Sequence, residues 1–319
     1  MFRFFFIIFT IATLVSCQEM QTETLRIGTN TWLGYEPMYV THQRFEQFQQ
    51  TIKFIEYRNA SQTLNGVINN AIDVAAVTLD EAVKLKALGY DIQVVWVTDF
   101  SAGADALITH PSITSAIDLK GKRIGVELSA LGLYFMKRFF ELHELSEHEV
   151  SLVNLEINRH INEYTHGKVD ALFTFDPNLS KLIELGAVKL FDSASIPGEI
   201  VDVLIINNKT MTPEKQAVLV DFMHKNNQTI TAINSNITPY INTLNQRLKL
   251  SSQQVKDAYQ QVVLLDHQQV DIWLNDTQKQ QRLVTSYNTI LHDSGIIKQA
   301  CDCASLVSTH VIDLVANAK

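Results

Sequence analysis

Acidic, hydroxyl and aromatic side chains recur at or just beyond the ends of short β-branched runs, where open α/β sheets bind their ligands. The candidate binding residues are Trp32, Tyr35, Glu36, Thr78, Asp80, Asp99, Ser101, Asp105, Glu127, Ser129, Asp176 and Asp202. Most of them are carboxylic acids, and none is a lysine or arginine. Converging carboxylates suit an amine, an amidine-like ring or another cation. The set therefore favours a cationic or amino-bearing organic ligand, and neutral, zwitterionic and anionic ligands stay open.

Two of these candidates have a structural role as an alternative. Ser129 precedes a predicted helix from about Leu131 to Leu142 and can cap it, while the free amides of the first turn face a ligand. Trp32 stands two residues before Gly34 and can form a flat platform for a ligand or cover the core of its own lobe. Both roles remain open for each residue.

Enzymatic motifs are missing from the sequence. It contains no Gly-x-Ser-x-Gly elbow, no His-Glu-x-x-His pair and no glycine-rich phosphate or dinucleotide loop. The histidines are scattered at spacings that fit no standard metal pair. We therefore predict that the protein is not an enzyme and has no catalytic residue, no bound metal and no cofactor.

The first residues resemble the signal peptide of a bacterial lipoprotein. An apolar run from Phe2 to Val15 ends in Leu14-Val15-Ser16-Cys17, which is similar to a lipobox. We predict a signal peptide at residues 1–16, lipidation of Cys17 and a linker that reaches residue 24. An uncleaved membrane helix is disfavoured, because the run is shorter than the roughly 20 apolar residues that span a bilayer.

Charge and the other cysteines limit the partners further. The formal net charge of −8 argues against nucleic acid or anionic lipid as a partner of the folded body. The remaining cysteines are Cys301 and Cys303, which an exported chain would carry into an oxidising compartment. A local disulfide is favoured, and unpaired thiols or a redox or metal role stay open.

Between residues 25 and 210 short β-branched runs alternate with amphipathic segments, a pattern typical of α/β folds with a largely parallel sheet. Strands are predicted at 25–28, 52–57, 74–77, 92–97, 104–109, 122–127, 150–155, 171–175, 188–191 and 201–206. Beyond residue 213 nearly everything is predicted to be helical, and no internal repeat is evident. We predict two lobes joined by two crossings, with 25–109 and 205–319 in lobe 1 and 110–204 in lobe 2.

As an ordered set, five segments resemble the solute-binding proteins of nitrate, taurine and aliphatic sulfonate ABC importers. That branch, which is NMT1-like, also includes binders of thiamine-pyrimidine precursors. The segments are 29–39, 66–81, 99–106, 118–127 and 167–171, the last reading Gly167-Lys168-Val169-Asp170-Ala171. Asn178 departs from the family, which commonly has an aromatic residue near Pro177. That departure weakens any model in which two rings sandwich the ligand.

The resemblance implies a type II periplasmic-binding-protein fold that closes around a small molecule by hinge motion. It also implies a monomeric receptor on the periplasmic face of a membrane, which delivers an amine-bearing, pyrimidine-like or sulfonate solute to an ABC permease. A sensory lipoprotein that signals to a membrane receptor is the alternative. Gln18 keeps that alternative open, because an Asp in this position would signal retention in the inner membrane.

Overall fold

The computed structural model describes residues 23–317. The predicted signal peptide, the lipidated Cys17 and most of the linker lie outside the described residues. Glu23 already contacts the folded body, since its carboxylate accepts a hydrogen bond from Thr212 Oγ1 at 3.1 Å. None of the helices in the described part is both long enough and apolar enough to cross a membrane.

Two sheets organise the described chain. The strands are β1 (Leu25–Thr29), β2 (Ile52–Glu56), β3 (Val74–Thr78), β4 (Ile92–Ser101), β5 (Asp105–Thr109), β6 (Arg123–Val126), β7 (Ser151–Asn154), β8 (Ala171–Phe175), β9 (Val188–Asp192), β10 (Val201–Asn207) and β11 (Val262–Leu264). Lobe 1 contains the six-stranded sheet in the order β11-β4-β10-β3-β1-β2. Lobe 2 contains the five-stranded sheet in the order β7-β6-β8-β5-β9.

Helices cover both sheets, so β3 and β10 are buried along their whole length. The helices are α1 (Glu36–Arg44), α2 (Gln47–Thr51), α3 (Ala60–Ile68), α4 (Leu79–Ala87), α5 (Ala130–Leu142), α6 (His160–Thr165), α7 (Asn178–Glu184), α8 (Pro213–Ser235), α9 (Ile241–Leu248), α10 (Ser252–Tyr259), α11 (His267–Asn275), α12 (Thr277–Asp293) and α13 (His310–Asn317). Many of these helices begin at an N-cap residue whose side chain accepts a hydrogen bond from the first turn. Thr212 caps α8 by accepting from Lys215 N, and Asp266 caps α11 by accepting from Gln269 N.

Each predicted strand has a counterpart in the structure, with ends that differ by a few residues. The largest extension is in β4, which continues to Ser101. The prediction of an almost entirely helical C-terminal part was wrong for β11, which pairs antiparallel with β4 at the edge of the lobe 1 sheet. Three residues are too few to show an alternating pattern, so only tertiary pairing makes this segment a strand.

The chain crosses from one sheet to the other at segments 102–104 and 193–200. The lobe boundaries predicted from the sequence lie after residues 109 and 204 instead. The difference arises because β5 pairs with β8 and β9 in the lobe 2 sheet. In the same way, β10 pairs with β3 and β4 in the lobe 1 sheet over its whole length. Segments 102–104 and 193–200 are therefore the two connections between the lobes.

The expectation of no internal repeat was wrong, because both lobes contain the same substructure. In lobe 1 the Arg26 side chain donates to Asp73 and to the carbonyl of Asn70. In lobe 2 Arg123 donates in the same way to Asp170 and to the carbonyl of Gly167. Arginine and aspartate are 47 residues apart in both lobes, and each pair joins two parallel neighbouring strands.

Candidate functional site

A cavity lies between the lobes and encloses about 430 Å³ of empty space, its open mouth included. Lobe 1 and lobe 2 both contribute to its wall, and the interface between two lobes is a common position for a ligand pocket. The lining residues are Asn30, Trp32, Tyr35, Ala60, Thr78, Glu81, Asp105, Glu127, Ser129, Leu131, Phe175 and Asp202.

Two aromatic side chains from opposite lobes meet at the cavity. Trp32 follows β1 and Phe175 ends β8, and their ring centroids are 5.8 Å apart in an edge-to-face arrangement. Trp32 is fixed by a 3.1 Å hydrogen bond from its Nε1 to Asp99 Oδ1. Gly34 permits this packing, because a Cβ there would lie 1.7 Å from Asp99 Oδ2. The pair forms an apolar wall that both lobes must supply.

A third aromatic residue, Tyr35, is oriented by a carboxyl group of the lobe 1 sheet. Its hydroxyl donates to Asp202 Oδ1, and both side chains are buried. Asp202 lies opposite Asp99 and Thr78 in the sheet, at the junction of β10 with β4 and β3. The acids of neighbouring strands are therefore close to one another beneath the cavity.

The first turn of α5 forms the lobe 2 side of the cavity. Ser129 Oγ accepts a hydrogen bond from Gly132 N at 3.1 Å, which confirms that this serine caps the helix. Gly132 is required by close packing, since a Cβ there would lie 1.9 Å from the carbonyl oxygen of Glu127. The Glu127 side chain accepts from Ile157 N at 3.2 Å. The cap and the acid thus face the same cavity.

The segments that join the lobes are tied to each other by serine hydroxyls. Ser101 Oγ and Ser193 Oγ are 2.7 Å apart, and Ser193 Oγ also accepts from Gly103 N at 2.6 Å. Ser101 Oγ accepts from Asp105 N at 3.1 Å. The backbone of Asp105, the first residue of β5, is therefore fixed by the connection between the lobes.

Carboxyl groups dominate the polar wall of the cavity. Glu81 and Asp202 come from lobe 1, whereas Asp105 and Glu127 come from lobe 2. Within residues 23–317, no lysine or arginine lines this cavity. Asp105 is 3% exposed, and its Oδ2 has no hydrogen-bond partner among the described residues. An unpaired buried carboxylate is costly, so this oxygen is suited to receive a donor from a ligand.

Burial raises the pKa of every carboxyl group in this wall. Loss of hydration raises the pKa of Asp105 to about 7, and the charges of Asp99 and Asp176 add to the effect. Burial likewise raises the pKa of Glu127 to about 7. The pKa of Asp202 lies well above its usual range because of burial and the nearby charge of Asp99. Near neutral pH these carboxyl groups therefore hold protons that a bound cation would displace.

The structure brings only part of the predicted set to the cavity. Trp32, Tyr35, Thr78, Asp105, Glu127, Ser129 and Asp202 line it. Glu36, Asp80, Asp99, Ser101 and Asp176 do not line it. Glu36 instead forms an ion pair with Arg247, whose Nη1 is 2.7 Å from its carboxylate. Asp176 accepts a hydrogen bond from Ser180 N at the start of α7.

The sequence did not identify Asn30, Ala60, Glu81, Leu131 and Phe175 as candidates. Glu81 follows β3 by three residues and its carboxylate accepts from Thr78 N, a spacing that could have marked it. Phe175 is the last residue of β8, and its ring lines the cavity. Ala60 and Leu131 have no polar group, so only their position after a strand could have indicated them.

The two C-terminal cysteines lie away from this cavity. Cys301 and Cys303 are joined by a disulfide in the structure. Asn288 holds the backbone of Cys301, because its side chain both accepts from the Cys301 amide at 2.8 Å and donates to the Cys301 carbonyl at 3.2 Å. The bonded pair therefore fastens the segment before α13 to α12.

The chain is similar to known proteins in family and in fold. A family model described as NMT1/THI5 like matches residues 45–235, which is more than half of the chain. No curated protein matches the chain in sequence.

Solved structures resemble the chain over nearly its whole length. The alkanesulfonate-binding protein SsuA of Xanthomonas axonopodis pv. citri, bound to MOPS, has a TM-score of 0.69 at 19% identity, covering 89% of this chain and 98% of that one. A zinc-bound ligand-binding component of an ABC-type import system from Staphylococcus aureus has a TM-score of 0.75 at 11% identity, covering 93% and 100%. The desulfurization enzyme DSZB has a TM-score of 0.65 at 14% identity, covering 92% and 99%.

These identities are low, so the likeness shows the fold alone. The predicted α/β periplasmic-binding-protein fold with two lobes, two crossings and C-terminal helices is confirmed. Binding proteins and an enzyme share this fold, so the function has to be argued from the cavity.

Proposed function

Because this chain belongs to the NMT1/THI5-like family, we propose that it is an extracytoplasmic solute receptor whose lobes close around a small amine-bearing or pyrimidine-like molecule. The observation that carries the proposal is the interlobe cavity, which has carboxyl groups from both lobes and no basic residue in its described wall. The receptor binds its solute without chemical change and delivers it to an ABC importer.

The placement of the acids explains how such a solute would favour the closed form. Closing the lobes brings Asp105 and Glu127 towards Glu81 and Asp202, and like charges in one dry cavity repel. A cation between them replaces that repulsion with attraction and supplies the donor that Asp105 Oδ2 lacks. The closed form therefore gains more from the ligand than the open form does.

Contacts beside the cavity stabilise the closed form once it has formed. The Tyr134 hydroxyl on α5 donates to Glu199 in the second connecting segment at 2.7 Å, and Arg138 on the same helix donates to Glu199 as well. Tyr134 also packs edge-to-face on Tyr287 of α12, with centroids 4.7 Å apart. A partner that contacts both α5 and α12 would distinguish closed receptor from open.

Lipidation of Cys17 would hold this receptor at the membrane surface. The folded body begins at about residue 23, because Glu23 contacts Thr212 and β1 starts at Leu25. Five residues separate Cys17 from Glu23, and an extended chain of that length spans roughly 20 Å. The tether would therefore keep the cavity close to the lipid surface, near an importer or sensor in the same membrane.

A sensory lipoprotein of the same fold is the second candidate, and Gln18 is the observation that favours it. A residue other than Asp after the lipidated cysteine would send the receptor to the outer membrane, away from an inner-membrane permease. Fractionation of the two membranes tests this directly. Recovery with the inner membrane supports delivery to an importer, and recovery with the outer membrane supports sensing.

A thermal-shift screen tests the proposed ligand class. At pH 8, aminomethylpyrimidines or other primary amines are expected to raise the melting temperature, because a ligand that binds only the folded state stabilises it by mass action. Alkanesulfonates without an amine are expected to have a smaller effect, since they cannot form an ion pair with Asp105 and Glu127.

Two controls make the screen decisive. The matched alcohol of each amine shows whether the charge, and not the carbon skeleton, produces the shift. Recovery of the unchanged amine after long incubation separates a receptor from an enzyme. Stabilisation by sulfonates alone would refute the proposed ligand class.

A further inference from the structure

A second chamber opens beside the acidic cavity and has the opposite charge. It encloses about 560 Å³ of empty space, again with its mouth, and shares Asn30 and Phe175 with the cavity wall. Arg58, Lys181 and Arg247 line it, whereas no described aspartate or glutamate does. The two chambers are therefore neighbours at the same interface between the lobes, one lined by acidic and the other by basic side chains.

We propose that the receptor binds an elongated bipolar solute, with a cationic amine in the acidic cavity and an anionic group in this basic chamber. The proposal rests on the proposed function and specifies its ligand class. Aminoalkyl phosphonates and carboxylates have the required chemistry, since both carry opposite charges at the two ends of a short chain.

Two of the three basic residues have no acidic partner among residues 23–317. Arg247 is already neutralised, because its guanidinium is 2.7 Å from Glu36 and 3.1 Å from Glu56. Arg58 and Lys181, by contrast, form no ion pair with a described carboxylate. Their charges are therefore available to an anion from solution.

Lys181 is the better placed of the two for a strong contact. Its ammonium donates to the carbonyl of Leu248 at 3.0 Å, which fixes the side chain and leaves further donors free. Partial burial lowers its pKa, while the charge of Asp176 acts in the other direction. A half-buried ammonium that forms no ion pair with a described carboxylate gains more from an anion than a fully hydrated one does.

Arg58 and Lys181 come from opposite lobes. Arg58 lies between β2 and α3 of lobe 1, and Lys181 lies on α7 of lobe 2. An anion held by both side chains would connect the lobes at the outer end, just as a cation connects them at the inner end. A bipolar solute can therefore close both ends of the cleft at once.

Calorimetric titration with matched probes tests this proposal on the purified protein. Aminoethyl-, aminopropyl- and aminobutylphosphonate are compared with the amino alcohols of the same chain length. We expect at least one phosphonate to bind about tenfold or more tightly than its alcohol, the size typical of one charge-assisted contact. Lys181→Gln is expected to remove about tenfold of phosphonate affinity and Arg58→Gln a few-fold, with alcohol affinity unchanged.

Lys53→Gln is the matched control, because it removes one exposed positive charge of lobe 1 that lines neither chamber. It is expected to leave all affinities unchanged. Equal binding of phosphonate and alcohol at every length, or a phosphonate preference that survives the Arg58→Gln/Lys181→Gln double variant, would overturn the bipolar ligand while the amine receptor stands. If no amine of either series binds, the proposed function itself fails and this inference fails with it.

Discussion

Asp105→Asn is expected to weaken the binding of a primary amine by about ten- to a hundredfold. Asp105 is the buried acid whose Oδ2 has no described partner, and it lines the cavity at the junction of the lobes. Replacing its carboxylate by an amide removes a charge-assisted hydrogen bond, which contributes about 1.5–3 kcal/mol. Isothermal calorimetry at pH 8 measures the loss.

Asp176→Asn is the control for this substitution. Asp176 is also buried and also has an unpartnered oxygen in the described structure, but it does not line the cavity. The control is expected to change amine affinity by much less than Asp105→Asn does. In the absence of ligand, neither variant should have a lower melting temperature than the wild type. Each substitution removes a buried carboxyl group that lacks a full set of hydrogen-bond partners. Equal losses of affinity in both variants would place the cation elsewhere.

The repeated arginine–aspartate pairs predict a large difference in stability between two equivalent substitutions. Asp73→Asn is expected to lower the free energy of unfolding by about 3 kcal/mol, because it leaves the partly buried charges of Arg26 and Lys215 without their buried carboxylate. Asp73 is fully buried and receives both Arg26 and the Lys215 ammonium, the latter at 3.1 Å. Asp170→Asn is expected to lower it by about 1 kcal/mol or less, since Asp170 is 27% exposed and forms an ion pair only with Arg123 among the described residues.

Denaturant unfolding of both variants measures this difference, and pH provides a second test. Burial raises the pKa of Asp73, but Arg26 and Lys215 outweigh burial and hold it below its usual value. A depressed pKa contributes stability above the pKa of the unfolded chain, about 4, and loses it as the pH falls further. As the pH falls below 5, the free energy of unfolding should therefore decrease more for the wild type than for Asp73→Asn. Equal unfolding energies for the two variants would contradict this account.

The strands were predictable because their burial is visible in the sequence. Val74–Thr78 and Val201–Asn207 are predominantly apolar runs, and both are buried throughout. The lobe boundaries were harder to predict, because the sequence of Asp105–Thr109 is compatible with a strand in either sheet. Only its pairing with β8 and β9 assigns it to lobe 2.

The internal repeat was present in the sequence as Arg26-Ile27-Gly28 and Arg123-Ile124-Gly125, each followed by an aspartate at the same distance. The rest of the two substructures has diverged, so hydrophobic periodicity alone does not reveal it. The equal spacing of oppositely charged residues, in addition to that of apolar residues, marks it.

The candidate site was predictable where a polar residue lies at or next to the end of a strand. Thr78, Asp105 and Asp202 lie at strand ends and line the cavity. Asp99 also lies near a strand end, but it supports Trp32 from below. Sequence position cannot separate these roles, because both kinds of residue are polar, buried and adjacent to a strand.

The raised acid pKa values link solute binding to pH. A cationic amine binds the ionised carboxylates, so it lowers their pKa and the receptor releases protons on binding. The free pKa of both Asp105 and Glu127 is about 7. Affinity for the amine should therefore rise as the pH passes through 7 and level off above it. A neutral or anionic solute that accepts hydrogen bonds from protonated acids would show the opposite trend.

The most direct test of an acidic, cation-binding cleft is the affinity of an aminomethylpyrimidine at pH 6 and at pH 8, measured by calorimetry in two buffers of different ionisation enthalpy. The aliphatic amine stays largely protonated over this range. We expect about a tenfold gain in affinity at pH 8 for each carboxyl group that titrates, together with net proton release at pH 6. Weaker binding at pH 8, or proton uptake at pH 6, would contradict the account.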